Sequence, residues 1–135
     1  MRWQQDRSDA FLSDLHGRDN RSVARAAVDD RGRVLALDVR VYANMGSWLS
    51  NFSCYIPTLS ACRTLTGPYD IQDVGMQVLG IVTNTPAVDA FRGAGRPEAN
   101  YLLERLMDHI AAELALDRVA VRNENLIKAE QIPYA

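Results

Sequence analysis

The feature that most constrains this chain is a helical stripe in its second half. Ala99, Leu102, Leu103, Leu106, Ile110 and Leu114 recur at the spacing that puts them on one side of a helix, and Pro97 suits the first turn because its missing N–H costs nothing there. The spacing predicts a helix over about 97–115, with Glu98, Glu104, Asp108 and Glu113 outside. Such a helix needs an apolar layer to cover its stripe, because helices in proteins draw most of their stability from packing.

That layer is predicted upstream. Residues 33–42, RVLALDVRVY, alternate with the period of a strand: Val34, Ala36 and Asp38 on one side, Leu35, Leu37, Val39 and Val41 largely on the other. Residues 22–29 precede them across Asp29-Asp30-Arg31-Gly32, which reads as a β-hairpin. Residues 71–83 form a third strand, with Val74, Met76 and Val78 on one face and Gly75 and Gly80 marking a bulge or a close backbone approach. A short helix over 8–15 with Ser8 as N-cap and another after Asp117 complete the elements. The expected fold is α+β: a small mixed or antiparallel sheet with the long helix packed on one face, residues 1–135 forming a single domain.

Between the hairpin and the third strand runs an irregular segment rich in Ser, Thr, Asn and Gly, with a short helix over 55–65 ending at Gly67-Pro68 and Trp48, Phe52, Tyr55 and Leu59 as anchors. It fits either the wall of a site or a long connector. The net charge of −2 argues against a nucleic-acid or membrane-surface partner, and no apolar run is long enough to span a bilayer. The first residues, MRWQQDRSDAFL, lack the apolar core of a secretory signal, and Cys54 and Cys62 fit neither a disulfide framework nor a metal motif. They read as core thiols in a cytoplasmic protein. His16 and His109 read as solvated or capping groups, and Glu104 and Asp108 as a solvated helix face.

The candidate site is the loop AFRGAGRPE, where Arg92 and Arg96 bracket Gly93-Ala94-Gly95 just before the long helix. Unpaired N–H groups and the dipole at a helix start favour an anion, glycines permit close approach, and guanidinium forks add charge. Glu98 stands where a third glycine would complete a dinucleotide fingerprint, and no Lys-Ser/Thr follows to make a P-loop. From the residues alone the loop fits two roles, an oxyanion site or a strand-to-helix turn with solvated arginines. Arg96 is either a ligand contact or an ion-pair partner of Glu98 or Glu104.

The ordered series MRWQQDR, HGRD, DDRGRVLALDVRV, NMGSWLS, LTGPYDI, TNTP and AFRGAGRPEANYLLERLMDHIAAEL resembles the molybdenum-binding large subunit of the molybdenum hydroxylases, the family of xanthine dehydrogenase, aldehyde oxidase and carbon monoxide dehydrogenase, in its form II AFRGAGR type. The resemblance covers essentially the whole chain. It implies oxidation of a small-molecule substrate at a molybdenum–pyranopterin cofactor, commonly molybdopterin cytosine dinucleotide, with iron–sulfur and FAD groups on partner subunits. It implies that Phe91, Arg92, Gly93, Ala94, Gly95 and Arg96 bind the cofactor, Arg92 lying near the metal and substrate and the glycines letting the loop come close. Gly93 stands where carbon monoxide dehydrogenases carry a copper-linking cysteine, and Ala94 where xanthine and aldehyde enzymes often carry an aromatic residue. The resemblance also implies a larger subunit, whose remainder supplies the catalytic glutamate, so that these residues alone would be inactive. A free-standing anion- or nucleotide-binding module and a structural remnant are the alternatives.

Overall fold

A computed structural model describes residues 1–134. The elements run α1 (Arg7–Ser13), β1 (Asn20–Val28), β2 (Val34–Gly46), a single π-helical turn (Ile56–Ser60), β3 (Asp73–Val82), α2 (Arg96–Glu113), α3 (Arg118–Asn125) and a short 3₁₀ turn (Ala129–Gln131). The sheet order is β1-β2-β3, with β1 antiparallel and β3 parallel to the central strand. The fold is α+β and the sheet is mixed.

The hairpin forms as the alternation predicts, with one exception. The pairing steps from Ala27↔Ala36 to Val28↔Val34, so Leu35 is the extra residue of a bulge. Val34 therefore turns into the core and Leu35 out to solvent, the reverse of the strict alternation. Leu37, Val39, Val41, Ala43 and Met45 keep the period and are buried. They share one core with Leu103, Met107, Ile110 and Ala111 of α2, while Leu102, Leu106 and Leu114 flank it half-buried. The apolar stripe is thus rotated slightly towards Met107, which the sequence pattern omits. In β3, Met76 and Val78 pack against this core but Val74 is exposed. The second sheet irregularity lies opposite β3, at Met45 between Asn44↔Ile81 and Gly46↔Val82, rather than at Gly75 or Gly80.

Local chemistry sets the element ends. Asp6, not Ser8, caps α1, its Oδ1 accepting from the Asp9 N–H at 2.9 Å. Asp117 caps α3 as expected, accepting from Val119 and Ala120. Asn125 closes α3 onto the hairpin turn. It is fully buried, accepts from the Val34 N–H at 2.8 Å, and donates to the carbonyls of Gly32 and Val121 at 2.8 Å each. The Val34 N–H has no ladder partner at the bulge, so the side chain supplies the acceptor that a strand would have given.

Glu104 and Asp108 are not a solvated pair. Arg122 of α3 bridges them, at 2.8 Å to Glu104 Oε2 and 3.0 Å to Asp108 Oδ1, and the Tyr69 hydroxyl donates to Glu104 at 2.8 Å. Burial and the neighbouring Glu104 carboxylate push the Tyr69 phenol up to about 12. Asp70 accepts from Gln131, Gln72, Tyr134 and Arg33, tying the last turn to the crossover that precedes β3. These hydrogen bonds, Gln131 foremost, hold its carboxyl down at about 2. Cys54 and Cys62 are exposed free thiols, not core thiols, because they fall on the outer side of the helical turn whose inner side carries Ile56, Pro57, Ser60 and Ala61. Among the described residues no helix is long and apolar enough to cross a membrane.

Replacing Asn125 with Ala leaves the Val34 N–H and the Gly32 carbonyl buried without partners, and urea denaturation should show a loss of about 2–3 kcal/mol. Asp70 titrates below its ordinary 3.8 when folded, so its contribution is present above that value and is lost as pH falls through about 2. The urea midpoint of the wild type should therefore fall over that interval, and Asp70→Asn should fall less steeply while starting lower at neutral pH.

Candidate functional site

The glycine–arginine loop is built by three segments that are distant in sequence. The first is the end of the sheet. Asn44, at the bulge of β2, donates to Asp19 Oδ2 at 2.6 Å and Thr85 Oγ1 at 2.9 Å, and accepts from the Thr83 hydroxyl at 2.7 Å and the Gly46 N–H at 2.9 Å. One amide thus joins the turn before β1, the strand end and the TNTP segment after β3. The second is the HGRD segment. His16 pairs through its backbone with residues 87–89, donating to Ala87 O at 3.0 Å and accepting from Asp89 N at 2.8 Å. A Cβ on Gly17 would lie 2.9 Å from Phe91 Cβ, so glycine is what lets this segment lie against the loop.

The third is the π-helical turn. Its Ser60 hydroxyl donates to the Ala94 carbonyl at 2.6 Å. Gly95, at φ +87°, caps α2, and a Cβ there would sit 2.6 Å from Ile56 O and 2.9 Å from Ala61 N. Gly95 is therefore required by the packing of the turn against the helix start, and its missing side chain does not face open space. Gly93 also has positive φ, at +95°. Inside the loop the Ala94 N–H donates to Phe91 O at 2.8 Å and the Arg96 N–H to Gly93 O at 3.1 Å.

Those bonds account for part of the helix start. The Arg96 N–H is already used and Pro97 has none, which leaves the guanidinium groups as the charged donors of the loop. Arg92 and Arg96 are both exposed, and among the described residues neither is in an ion pair. Arg96 therefore pairs with neither Glu98 nor Glu104. It lines a groove of about 180 Å³ with Phe52, Tyr55, Ile56, Ser60, Ala90 and Ala94; Arg92 is not part of that lining.

Glu98 is not on the solvent side. Its carboxylate turns inward, both oxygens are buried without a hydrogen-bond partner, and the cation it faces is Arg18, with Nε 3.9 Å from Oε2. Arg18 also donates through Nη2 to the Arg92 carbonyl and lies over the Phe91 ring, 4.7 Å from its centroid. Arg18 and Asn44 are the residues that the sequence reading missed. HGRD reads as a turn cluster, and no local pattern links it to a loop some seventy positions away; the one clue at Asn44 is a polar amide ending an otherwise alternating strand.

The segment 47–61 leaves Trp48, Leu49, Phe52, Tyr55 and Leu59 exposed, and its buried residues are Ser53, Ile56, Pro57, Ser60 and Ala61. The aromatic residues are thus surface rather than anchors, and Phe52 and Tyr55 line the groove beside the loop.

Residues 1–126 match the model of the molybdopterin cofactor-binding domain. The chain is 32% identical over 139 residues to the carbon monoxide dehydrogenase large chain of Hydrogenophaga pseudoflava and 28% identical over 134 residues to subunit gamma of the 6-hydroxypseudooxynicotine dehydrogenase complex of Paenarthrobacter nicotinovorans. In both cases 99% of this chain aligns with 17% of the relative. The solved structure of quinoline 2-oxidoreductase from Pseudomonas putida 86 superposes with a TM-score of 0.89 at 26% identity, over 98% of this chain and 17% of that one. The chain belongs to the molybdopterin cofactor-binding domain family, and it is homologous to large subunits of the molybdenum hydroxylases.

Gly95→Ala forces a Cβ into the backbone of the π-helical turn at a φ that alanine rarely adopts. It should lower thermal stability and increase tryptic cleavage after Arg92, whereas Ala94→Gly at the neighbouring position should change stability by less than about 1 kcal/mol.

Proposed function

We propose that this chain forms part of the large subunit of a molybdenum-dependent oxidoreductase and contributes the loop that stands beside its molybdenum–pterin cofactor. The observation that carries the reading is the pair of free guanidinium groups, Arg92 and Arg96, on a loop that the fold holds from three sides. The residues present fit such a group. A phosphate-bearing pterin would be anionic, and the loop offers two unpaired cations while the adjacent carboxylate of Glu98 faces inward. Phe91, Arg92, Gly93, Ala94, Gly95 and Arg96 are the proposed cofactor-binding residues. Arg92 is assigned the place near the metal and the small-molecule substrate, where its charge would orient an oxyanion and its fork would fix the direction of approach.

The cofactor, proposed to be the cytosine dinucleotide form, supplies the redox chemistry when bound. Iron–sulfur and FAD groups on partner subunits are the proposed electron path, in keeping with relatives named as a large chain and as a gamma subunit of a complex. Gly93 carries no thiol, so no second metal is proposed at that position. The uncovered apolar side chains of Trp48, Leu49, Phe52 and Tyr55 support a face that meets the remainder of a larger subunit, and they count against a free-standing anion-binding module. The same incompleteness supports the view that these residues alone are inactive. A cytoplasmic setting is proposed from the free thiols of Cys54 and Cys62.

Arg92→Ala in the molybdenum-loaded enzyme should lower kcat/KM by about 100-fold, with molybdopterin content and melting temperature near wild type. Turnover equal to wild type would remove Arg92 from the site.

A further inference from the structure

We propose that Arg18 is the positioning residue for the loop that presents Phe91 and Arg92. The inference rests on the reading of that loop as the cofactor-facing one. Arg18 engages the loop and the helix that follows it in three ways at once: over the Phe91 ring at 4.7 Å, through a hydrogen bond to the Arg92 carbonyl, and through its charge facing Glu98 of α2 at 3.9 Å. Each contact uses a different property of the guanidinium, namely its planar face, its N–H fork and its net charge. Its own backbone is held at φ +60°, a conformation that an L residue adopts only when its surroundings impose it. The imposing contacts are on either side, His16 paired with residues 87–89 and Asp19 bound to Asn44.

Glu98 explains why the position needs a cation. Its buried carboxylate has no hydrogen-bond partner, and a buried charge is costly unless a cation faces it. Without Arg18 the candidates on the loop are Arg92 and Arg96. Arg18 thus fixes the loop and also leaves those two arginines free to face a ligand.

Amide hydrogen exchange on the purified protein tests this directly. Arg18→Ala should speed exchange of the Ala94 and Arg96 amides by about tenfold while the amides of β2 keep their rates. Arg18→Lys, which retains the cation facing Glu98 but not the planar face, should exchange at an intermediate rate. If R18A also loses protection in β2, Phe91→Leu carries the test, because it removes the ring and leaves both charges in place; it should loosen the same loop amides alone. Wild-type loop rates in both R18A and F91L would overturn the proposal, as would a lysine variant no better protected than alanine. Loosening of the loop in R18A combined with unchanged turnover in R92A would leave Arg18 as the positioning residue and remove the cofactor reading instead.

Discussion

Strand β2 is the constraint on which the rest of the structure depends. It is flanked on both sides, antiparallel to β1 and parallel to β3, and its inward residues from Leu37 to Met45 are the surface that α2 covers. A parallel neighbour cannot follow through a tight turn, so the chain must cross over between β2 and β3. That crossover is the irregular segment 47–72, and it carries the π-helical turn against which Gly95 packs. The parallel pairing therefore brings the segment to the loop, and the end of β2 supplies Asn44 to tie down the TNTP segment that follows β3.

From this arrangement the loop inherits its order. It has few bonds of its own, chiefly Ala94 to Phe91 and Arg96 to Gly93. Ser60 and Arg18 make the others, from elements placed by the sheet. A charged loop held this way keeps Arg92 and Arg96 exposed and unpaired without letting them collapse onto Glu98. Preorganisation of that kind is what makes a fixed charge useful to a ligand or a reaction, since no rearrangement is needed when the ligand arrives.

Much of this was legible in the sequence because it depends on local periodicity. The hairpin, the third strand, the long helix and the Asp117 cap follow from spacing and turn residues. The misses share a cause. Leu35 and Val34 exchange sides because a bulge breaks the period, and a bulge in a run of β-formers leaves no mark in the pattern. Glu98, Glu104 and Asp108 look like solvent-facing acids on a helical wheel, yet Arg18 and Arg122 reach them from other elements. At the site the sequence located the loop and its two arginines. It did not show that Gly95 packs against Ile56 and Ala61, and it could not place Arg18, whose partners are brought near only by the fold.

The central claim is that the loop faces the molybdenum–pterin group, and a crystal or cryo-EM structure of the protein with that cofactor bound tests it most directly. The account predicts that side chains or backbone groups of residues 91–96 contact the cofactor, with the Arg92 guanidinium within hydrogen-bonding reach of the cofactor or a bound substrate analogue. A bound cofactor seated away from the loop, with Arg92 in solvent or paired to a carboxylate of a neighbouring segment, would contradict it.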